Sequence, residues 1–512
     1  MGQTTIMLML LTILSKIFGF VREAVMASFI GAGDLKSIYT TSNTMPVVMA
    51  NFVAVGIASG FIPIYNRVKN EEGEKEAEAF TSNIVNILMA FGTVAVIIGV
   101  VFARPFSKIL SPDLEGAYLD LATNYTRIMM FAVFGYLYSS VFRGYLNLKG
   151  NFLDPAITGI IMNIFIIAFT ILTGITKNPY LIIIGALLGN VLQYALFPRA
   201  AKKRGYKHKK IIDINNKYVR SLMVIAIPVI ISSAAGEISI IIDNSMASAF
   251  FGKASVSKLF YSKTMLTMIS GIITVSVTTA IFPRIAEFGA AGNIKSMKRA
   301  ISSSAVTTML LVIPASVGMA VLARPIVSVV FERNAFSQED TIIVAALIAT
   351  YAPNTIFQSM IDIIDRGFYA VGDSKTPVVV VLIQQGLNIL FNLVLVKFFG
   401  LYGLAIATVA SAAIGSVLML IRFRNKFGAF NFRSSAISII KISIITVIMT
   451  LVAKGSFSFL NPRAGQVISL FASIFIAALV YGALILFARI PEVMNMVNEI
   501  YHKVNRKIKG RA

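Results

Sequence analysis

Residues 84–103 read IVNILMAFGTVAVIIGVVFA, a run without a single charge that is closed by Arg104 and Pro105. At about 1.5 Å per residue, a helix of roughly 20 residues crosses the ~30 Å hydrocarbon core of a bilayer. The apolar positions are continuous and do not alternate, which excludes the strands of a membrane barrel. The same kind of run recurs along the whole chain. Fourteen candidate spans lie near 5–32, 36–66, 80–104, 118–144, 155–175, 179–199, 218–250, 256–286, 301–323, 340–370, 377–398, 400–423, 435–454 and 464–488. Composition agrees, because 57% of the 512 residues are hydrophobic and 13% charged, whereas soluble domains run near 45–50% and about 25%. The expected fold is an all-α polytopic membrane protein with about 14 transmembrane helices. Pro46, Pro228, Pro314, Pro353 and Pro377 fall within or at the ends of spans, where they free backbone carbonyls and predict bends.

The closing Ala103-Arg104-Pro105 returns as Ala323-Arg324-Pro325, 220 residues later. Met26-Ala27-Ser28 returns as Met246-Ala247-Ser248 and Pro63 as Pro283 at the same offset, and Arg143-Gly144-Tyr145 returns as Arg366-Gly367-Phe368 at a slightly larger one. Each half holds six spans, an even number, so both halves share one orientation. That predicts two parallel six-helix lobes about an axis along the membrane normal, an arrangement of secondary transporters with the substrate path between the lobes. The division expected is an N-lobe at 1–200, a basic linker at 201–217, a C-lobe at 218–424, two extra C-terminal helices at 435–488, and a basic tail at 491–512 with apolar residues at helical spacing, read as an interfacial amphipathic helix.

The net charge of +23 suggests nucleic acid at first sight. Most of the basic residues, however, fall in loops on one side once the N-terminus is placed in the cytoplasm, with Arg199, Lys202, Lys203, Arg204, Lys207, Lys209, Lys210, Lys217 and Arg220 after span six the densest group. Lys and Arg in cytoplasmic loops set membrane orientation, so both termini are expected inside and no nucleic-acid partner is expected. The N-terminus lacks a basic n-region, so a cleaved signal peptide is not expected. There is no cysteine, and the two histidines, His208 and His502, lie outside the apolar spans. Thiolate chemistry is thereby excluded, and neither a histidine triad nor an intramembrane zinc site is expected. Neither a Walker motif nor a nucleophile elbow nor a dinucleotide loop occurs, so the chain is read as a transporter, not an enzyme, driven by an ion gradient or the membrane potential.

Charges inside a span are costly and point to function. Span one carries Lys16, Arg22 and Glu23, with Gly19 among them. One reading is a cationic wall on a water-filled cavity suited to phosphate, which Arg grips with a planar fork and Lys as a point charge. The other pairs Lys16 with Glu23, seven residues away on the same face, and lets Arg22 snorkel. Lys263 in span eight faces the same cavity in the first reading and the interface in the second; Arg127 reads as a snorkelling residue. A second group is oxygen-rich: Asp243 in span seven, Asn388 and Asn392 on one face of span eleven, and Thr408 in span twelve. Such donors suit Na⁺ as a coupling ion; the same groups also suit an interhelical hydrogen-bond cluster. Asp362 and Asp365 beside Arg366 read as a local ion pair. No other cofactor is expected, and a monomer is the expected unit.

The run Ser15-Lys16-Ile17-Phe18-Gly19-Phe20-Val21-Arg22-Glu23-Ala24, then Ile30-Gly31-Ala32-Gly33, Phe61-Ile62-Pro63 and Gly367-Phe368-Tyr369-Ala370 followed by Pro377, resembles the MurJ family. These are the lipid II flippases of the multidrug/oligosaccharidyl-lipid/polysaccharide exporter superfamily. The resemblance covers nearly the whole chain. It implies that an undecaprenyl-diphosphate-linked peptidoglycan precursor crosses the bacterial cytoplasmic membrane by alternating access. It implies a cationic cavity for the diphosphate and sugars, a groove on spans thirteen and fourteen for the polyprenyl tail, and in some members an ion site matching Asp243, Asn388, Asn392 and Thr408. Lys16 stands where the family usually has Arg, and Arg22 matches the second family arginine. The basic position of span two falls near Ala50 or Asn51, that of span eight near Thr264 beside Lys263, and a family acid falls at Val55. An exporter of another lipid-linked polysaccharide therefore stays open as an alternative. A cation-coupled multidrug extruder fits less well, because cationic drugs call for acidic cavity residues, and a non-transporting scaffold leaves the intramembrane charges unexplained.

Overall fold

The computed structural model describes residues 3–428, 432–494 and 498. In chain order the helices are α1 (Gln3–Ile30), α2 (Asp34–Glu72), α3 (Glu74–Val101), α4 (Ala103–Leu110), α5 (Gly116–Met129), α6 (Ala132–Leu148), α7 (Leu153–Thr176), α8 (Tyr180–Leu192), α9 (Leu196–Lys203), α10 (Lys217–Phe251), α11 (Ala254–Ala290), α12 (Ile294–Val321), α13 (Ala323–Phe331), α14 (Gln338–Ala370), α15 (Lys375–Phe399), α16 (Leu401–Phe427), α17 (Phe432–Ala464) and α18 (Gln466–Phe487). Among the described residues, 12 helices are long and apolar enough to cross a membrane. Large apolar side chains such as Val224, Phe398, Leu451 and Phe487 stand exposed on them, as expected of helices that meet lipid. The protein is a multi-pass helical membrane protein.

The two remaining expected spans fall on α1, whose 28 residues include three charges, and on the stretch 118–144, which is two helices and not one. After α5 the chain changes from four-residue to three-residue bonding, with Phe131 N donating to Ile128 O and Val133 N to Met130 O. That tighter turn separates α5 from α6. The repeat is visible in the helix boundaries. α2, α3 and α4 start at Asp34, Glu74 and Ala103, while α11, α12 and α13 start at Ala254, Ile294 and Ala323, each 220 residues on. The Ala-Arg-Pro motif opens the short α4 in one half and the short α13 in the other, with proline in the first turn, where its missing N–H costs nothing.

Packing divides the chain into unit 1, Met1–Phe260 with Phe331–Asp340, and unit 2, Tyr261–Val330 with Thr341–Ala512. The boundary lies beyond α10, so this helix packs with unit 1 although it opens the second sequence repeat. Small residues on α2 are the cause. A Cβ on Gly56 would stand 2.8 Å from the Ala226 carbonyl oxygen, and one on Gly60 2.6 Å from Leu222 Cδ1, so the two backbones approach as closely as small residues permit. The core of unit 1 is aromatic, with Phe61, Tyr65, Phe80, Phe142 and Tyr145 buried between α2, α3 and α6. In unit 2, α17 and α18 pack on α12 through Val306, Met309, Ile313, Ile442, Ile445 and Ile485. Most of the basic tail, residues 495–512 apart from 498, lies outside the described residues.

Candidate functional site

The position of α1 is set by α7. A Cβ on Gly159 would come within 2.3 Å of Ser15 Oγ and one on Gly174 within 2.2 Å of the Phe29 ring, while Asn163 Nδ2 donates to Ser15 O at 3.5 Å. The helix runs unbroken through Gly19 and stops at Gly31. Gly31 has φ +79°, and a Cβ there would meet the Ala335 carbonyl oxygen at 2.3 Å, so both conformation and space demand glycine. The chain then turns into α2, and this elbow gathers the charges.

Glu23 is 2% exposed and Lys36 0%. Lys36 Nζ donates to Glu23 Oε2 at 3.0 Å and to Met26 Sδ at 3.3 Å, and it sits 4.5 Å from the Phe260 ring centroid. Arg22 donates to Glu23 Oε1 from both Nε, at 3.0 Å, and Nη2, at 2.6 Å. One carboxylate therefore holds two cations, and the cluster keeps a net positive charge. Lys36 is sealed. The Arg22 side chain is 20% exposed, and its Nη1 edge makes no hydrogen bond among the described residues, which leaves a fixed guanidinium edge for an anion such as a phosphate oxygen.

The expected pairing of Lys16 with Glu23 is not formed. Lys16 is exposed and makes no ion pair among the described residues, because Glu23 is taken by Arg22 and Lys36. Lys263 lies in unit 2 on α11, half-buried, with Nζ 5.4 Å from the Tyr351 ring centroid. Of the oxygen-rich group, three members meet in unit 2: Asn388 Nδ2 donates to Thr408 Oγ1 at 3.3 Å and Asn392 Nδ2 to Asn388 Oδ1 at 3.4 Å. Asp243, 3% exposed, belongs to unit 1.

Two charged residues escape the sequence reading. Lys36 is the first residue of the span expected at 36–66, and nothing in its spacing from Glu23 announces contact across the elbow. Glu237, in the middle of α10, accepts from Asn51 Nδ2 at 2.8 Å. The rule that intramembrane charge is informative would have found it.

The repeat reaches into the elbows. Glu23 and Asp243 are mates at the 220-residue offset, as are Ser37 and Ser257, and these two serines touch, with Ser257 N donating to Ser37 Oγ at 3.0 Å. Ser257 Oγ also donates to Ala32 O. The loop after each short helix then docks on the opposite half. Asp113 N donates to Ser248 Oγ at 3.3 Å, and Asn334 Nδ2 donates to Ser28 Oγ at 2.8 Å. Lys253 Nζ to Asp34, at 3.4 Å, and Lys258 Nζ to Asp340, at 3.1 Å, brace this end of unit 1.

The family model for the lipid II flippase MurJ matches residues 26–476. The chain belongs to the MurJ family. A probable lipid II flippase MurJ from Bdellovibrio bacteriovorus is 26% identical over 417 residues, covering 80% of this chain and 79% of that protein. Its counterpart from Haemophilus influenzae is 26% identical over 461 residues, covering 86% and 89%. Among solved structures, a lipid II flippase MurJ in an inward closed conformation matches with TM-score 0.80 and 23% identity, over 94% of this chain and 98% of that one. An inward-facing multidrug resistance transporter of the MATE family, in the MOP superfamily, matches with TM-score 0.68 and 12% identity, over 81% and 94%. These structural likenesses are of fold. The MurJ assignment and the MATE likeness together fit the superfamily that the motifs of α1, α2 and α14 resemble.

Proposed function

We propose that this chain is a flippase for lipid II, the undecaprenyl-diphosphate-linked peptidoglycan precursor, and moves it across the bacterial cytoplasmic membrane by alternating access with both termini in the cytoplasm. The observation that carries this reading is the family match, which runs from the α1 elbow to α18. The charge cluster supports the anion step. Glu23 fixes Arg22 so that its remaining edge takes the diphosphate, and the exposed Lys16 on the same helix supplies further positive charge. The polyprenyl tail would lie on α17 and α18, whose exposed Ile444, Leu451, Phe471 and Phe475 give an apolar face. Depletion of the resident lipid II flippase in a bacterial host tests the reading. Wild type restores growth, and Arg22→Ala, inserted normally by membrane fractionation, abolishes rescue. Failure of the inserted wild type overturns lipid II as substrate in favour of another lipid-linked glycan; full rescue by Arg22→Ala overturns the role of Arg22.

The same reading takes Na⁺ as coupling ion, on the sequence expectation for Asp243, Asn388, Asn392 and Thr408, of which the last three meet in unit 2. The amides of Asn388 and Asn392 and the hydroxyl of Thr408 offer the hard oxygen ligands such an ion takes. Na⁺ would supply the gradient energy that drives the lobes through their cycle. Transport by purified protein is expected to fall at least tenfold when Na⁺ is replaced by K⁺ or choline, about 1.4 kcal/mol of coupling; equal rates in the three salts exclude it.

A further inference from the structure

Beyond α9 the chain does not loop freely to α10. It runs along α3, pinned by three polar side chains. Ser82 Oγ meets Tyr206 OH at 3.0 Å and accepts from Lys209 N at 3.2 Å. Asn86 Nδ2 donates to the Lys209 and Ile211 carbonyls, both at 2.8 Å. Asn83 exchanges two bonds with the Asp213 backbone, at 2.8 and 2.7 Å. So fixed, the strap presents Lys207, Lys209 and Lys210 beside isoleucines that are 66% (Ile212) and 65% (Ile214) exposed. Isoleucines held open among lysines are poorly placed in water and well placed at a membrane interface, where the side chain meets hydrocarbon and the ammonium meets headgroups.

Between the strap, α3, α6 and α9 lies a cavity of about 680 Å³, within the size range of small-molecule pockets. Its wall is apolar, with Met89 beside Tyr138 and Phe142, whose rings stack at 4.3 Å. Its rim is basic, formed by Lys202, Lys207 and His208. His208 Nδ1 is engaged by Tyr206 OH at 3.1 Å, which leaves Nε2 as the ring nitrogen for a ligand. The cavity sits where the apolar run of α3, from Ile84, gives way to Ser82 and Asn83, the level at which a spanning helix passes from hydrocarbon to headgroup. Small inorganic phosphate would use the rim and waste the wall. A phospholipid uses both.

We infer that this cavity is a binding site for an anionic phospholipid of the leaflet that faces the linker. Lys202, Lys207 and His208 hold the phosphate, an acyl chain lies along Met89, Tyr138 and Phe142, and Ile212 and Ile214 enter the same leaflet. Basic pockets between spanning helices are a recurrent form of such sites. Occupancy ties the linker between the two repeats to the membrane.

The test uses the full chain in phosphatidylcholine vesicles carrying a trace of photoreactive phosphatidylglycerol or photoreactive phosphatidylcholine, with cross-linked peptides identified by mass spectrometry. The phosphatidylglycerol probe should label the peptides of Met89 and Tyr138 well above the phosphatidylcholine probe. Each lysine near a membrane surface contributes about fivefold in affinity for anionic lipid, so K202Q/K207Q should weaken labelling by roughly thirtyfold. Both lysines are exposed, so their loss leaves packing intact; Met89→Trp, which fills the cavity without altering charge, should remove labelling independently. Equal labelling by the two probes, labelling indifferent to both variants, or displacement by inorganic phosphate would each overturn the proposal, the last by identifying a phosphate-ion site.

Discussion

The elbow between α1 and α2 and the elbow between α10 and α11 hold the same place in the two halves, and they treat their buried acid differently. In the first, Glu23 carries Arg22 and Lys36. In the second, the residues at those two repeat positions are Ile242 and Val256, so Asp243 draws no cation from either. Backbone register has survived duplication to the residue, as the Ser37–Ser257 contact shows, while charge has diverged. A symmetric framework therefore carries an asymmetric field: the first elbow sets two cations on one acid, and the second has an apolar residue at each of the mate positions.

The largest effect should come from locking the two halves of the interlock together. The chain has no cysteine, and Ser28 and Asn334 touch at 2.8 Å. Oxidised S28C/N334C should lose transport entirely and regain it on reduction. Undiminished transport in the oxidised form would show that this contact never opens in the cycle. Next in size is the charge balance of the first elbow. Glu23→Ala strands a sealed lysine and should cost about 3–5 kcal/mol of stability, read as loss of folded yield and a lower unfolding midpoint. The pair E23Q/K36M should recover part of it, since the sealed lysine is gone and only the partly exposed Arg22 is left without its carboxylate; no recovery would mean that Glu23 acts chiefly through Arg22.

The smallest effect belongs to a pair outside both elbows. Asp373, in the turn between α14 and α15, is bonded by Lys426 and by the Thr376 backbone and hydroxyl. Burial works to raise its carboxyl, but the bonds from Lys426 and Thr376 prevail and bring it down to about 2. A lowered carboxylate contributes stability above its unfolded value near 4 and loses it as pH falls toward 2. Asp373→Asn should shift the unfolding midpoint at pH 7 by less than about 1 kcal/mol in equivalent stability, and the difference from wild type should shrink as pH falls through the folded value and vanish below it. A difference that persists there would assign the effect to hydrogen bonding and not to charge.

Much of this was legible in the chain. Continuous apolar runs specify spanning helices because a backbone in hydrocarbon must satisfy its own hydrogen bonds, and four recurring motifs located the duplication that the helix starts at Asp34 and Ala254 repeat. Arg22 and Glu23 were conspicuous because charge in a span is expensive. Lys36 was not, since a lysine at a helix start is ordinary until the elbow folds it onto Glu23. The break between α5 and α6 was also hidden, because a change of bonding register leaves hydropathy untouched.

The sequence by itself thus determined the class of fold, the parallel repeat and the family, all of which rest on local hydrogen-bond economy and on patterns carried along the chain. Tertiary structure alone decided that Glu23 clamps two cations, that α10 packs with the first half, and that the linker lies pinned along α3. Each of these depends on close approach between residues far apart in the chain, through Gly31, Gly56 and Gly60 or through Asn83 and Asn86, and spacing along the sequence carries no record of such distances.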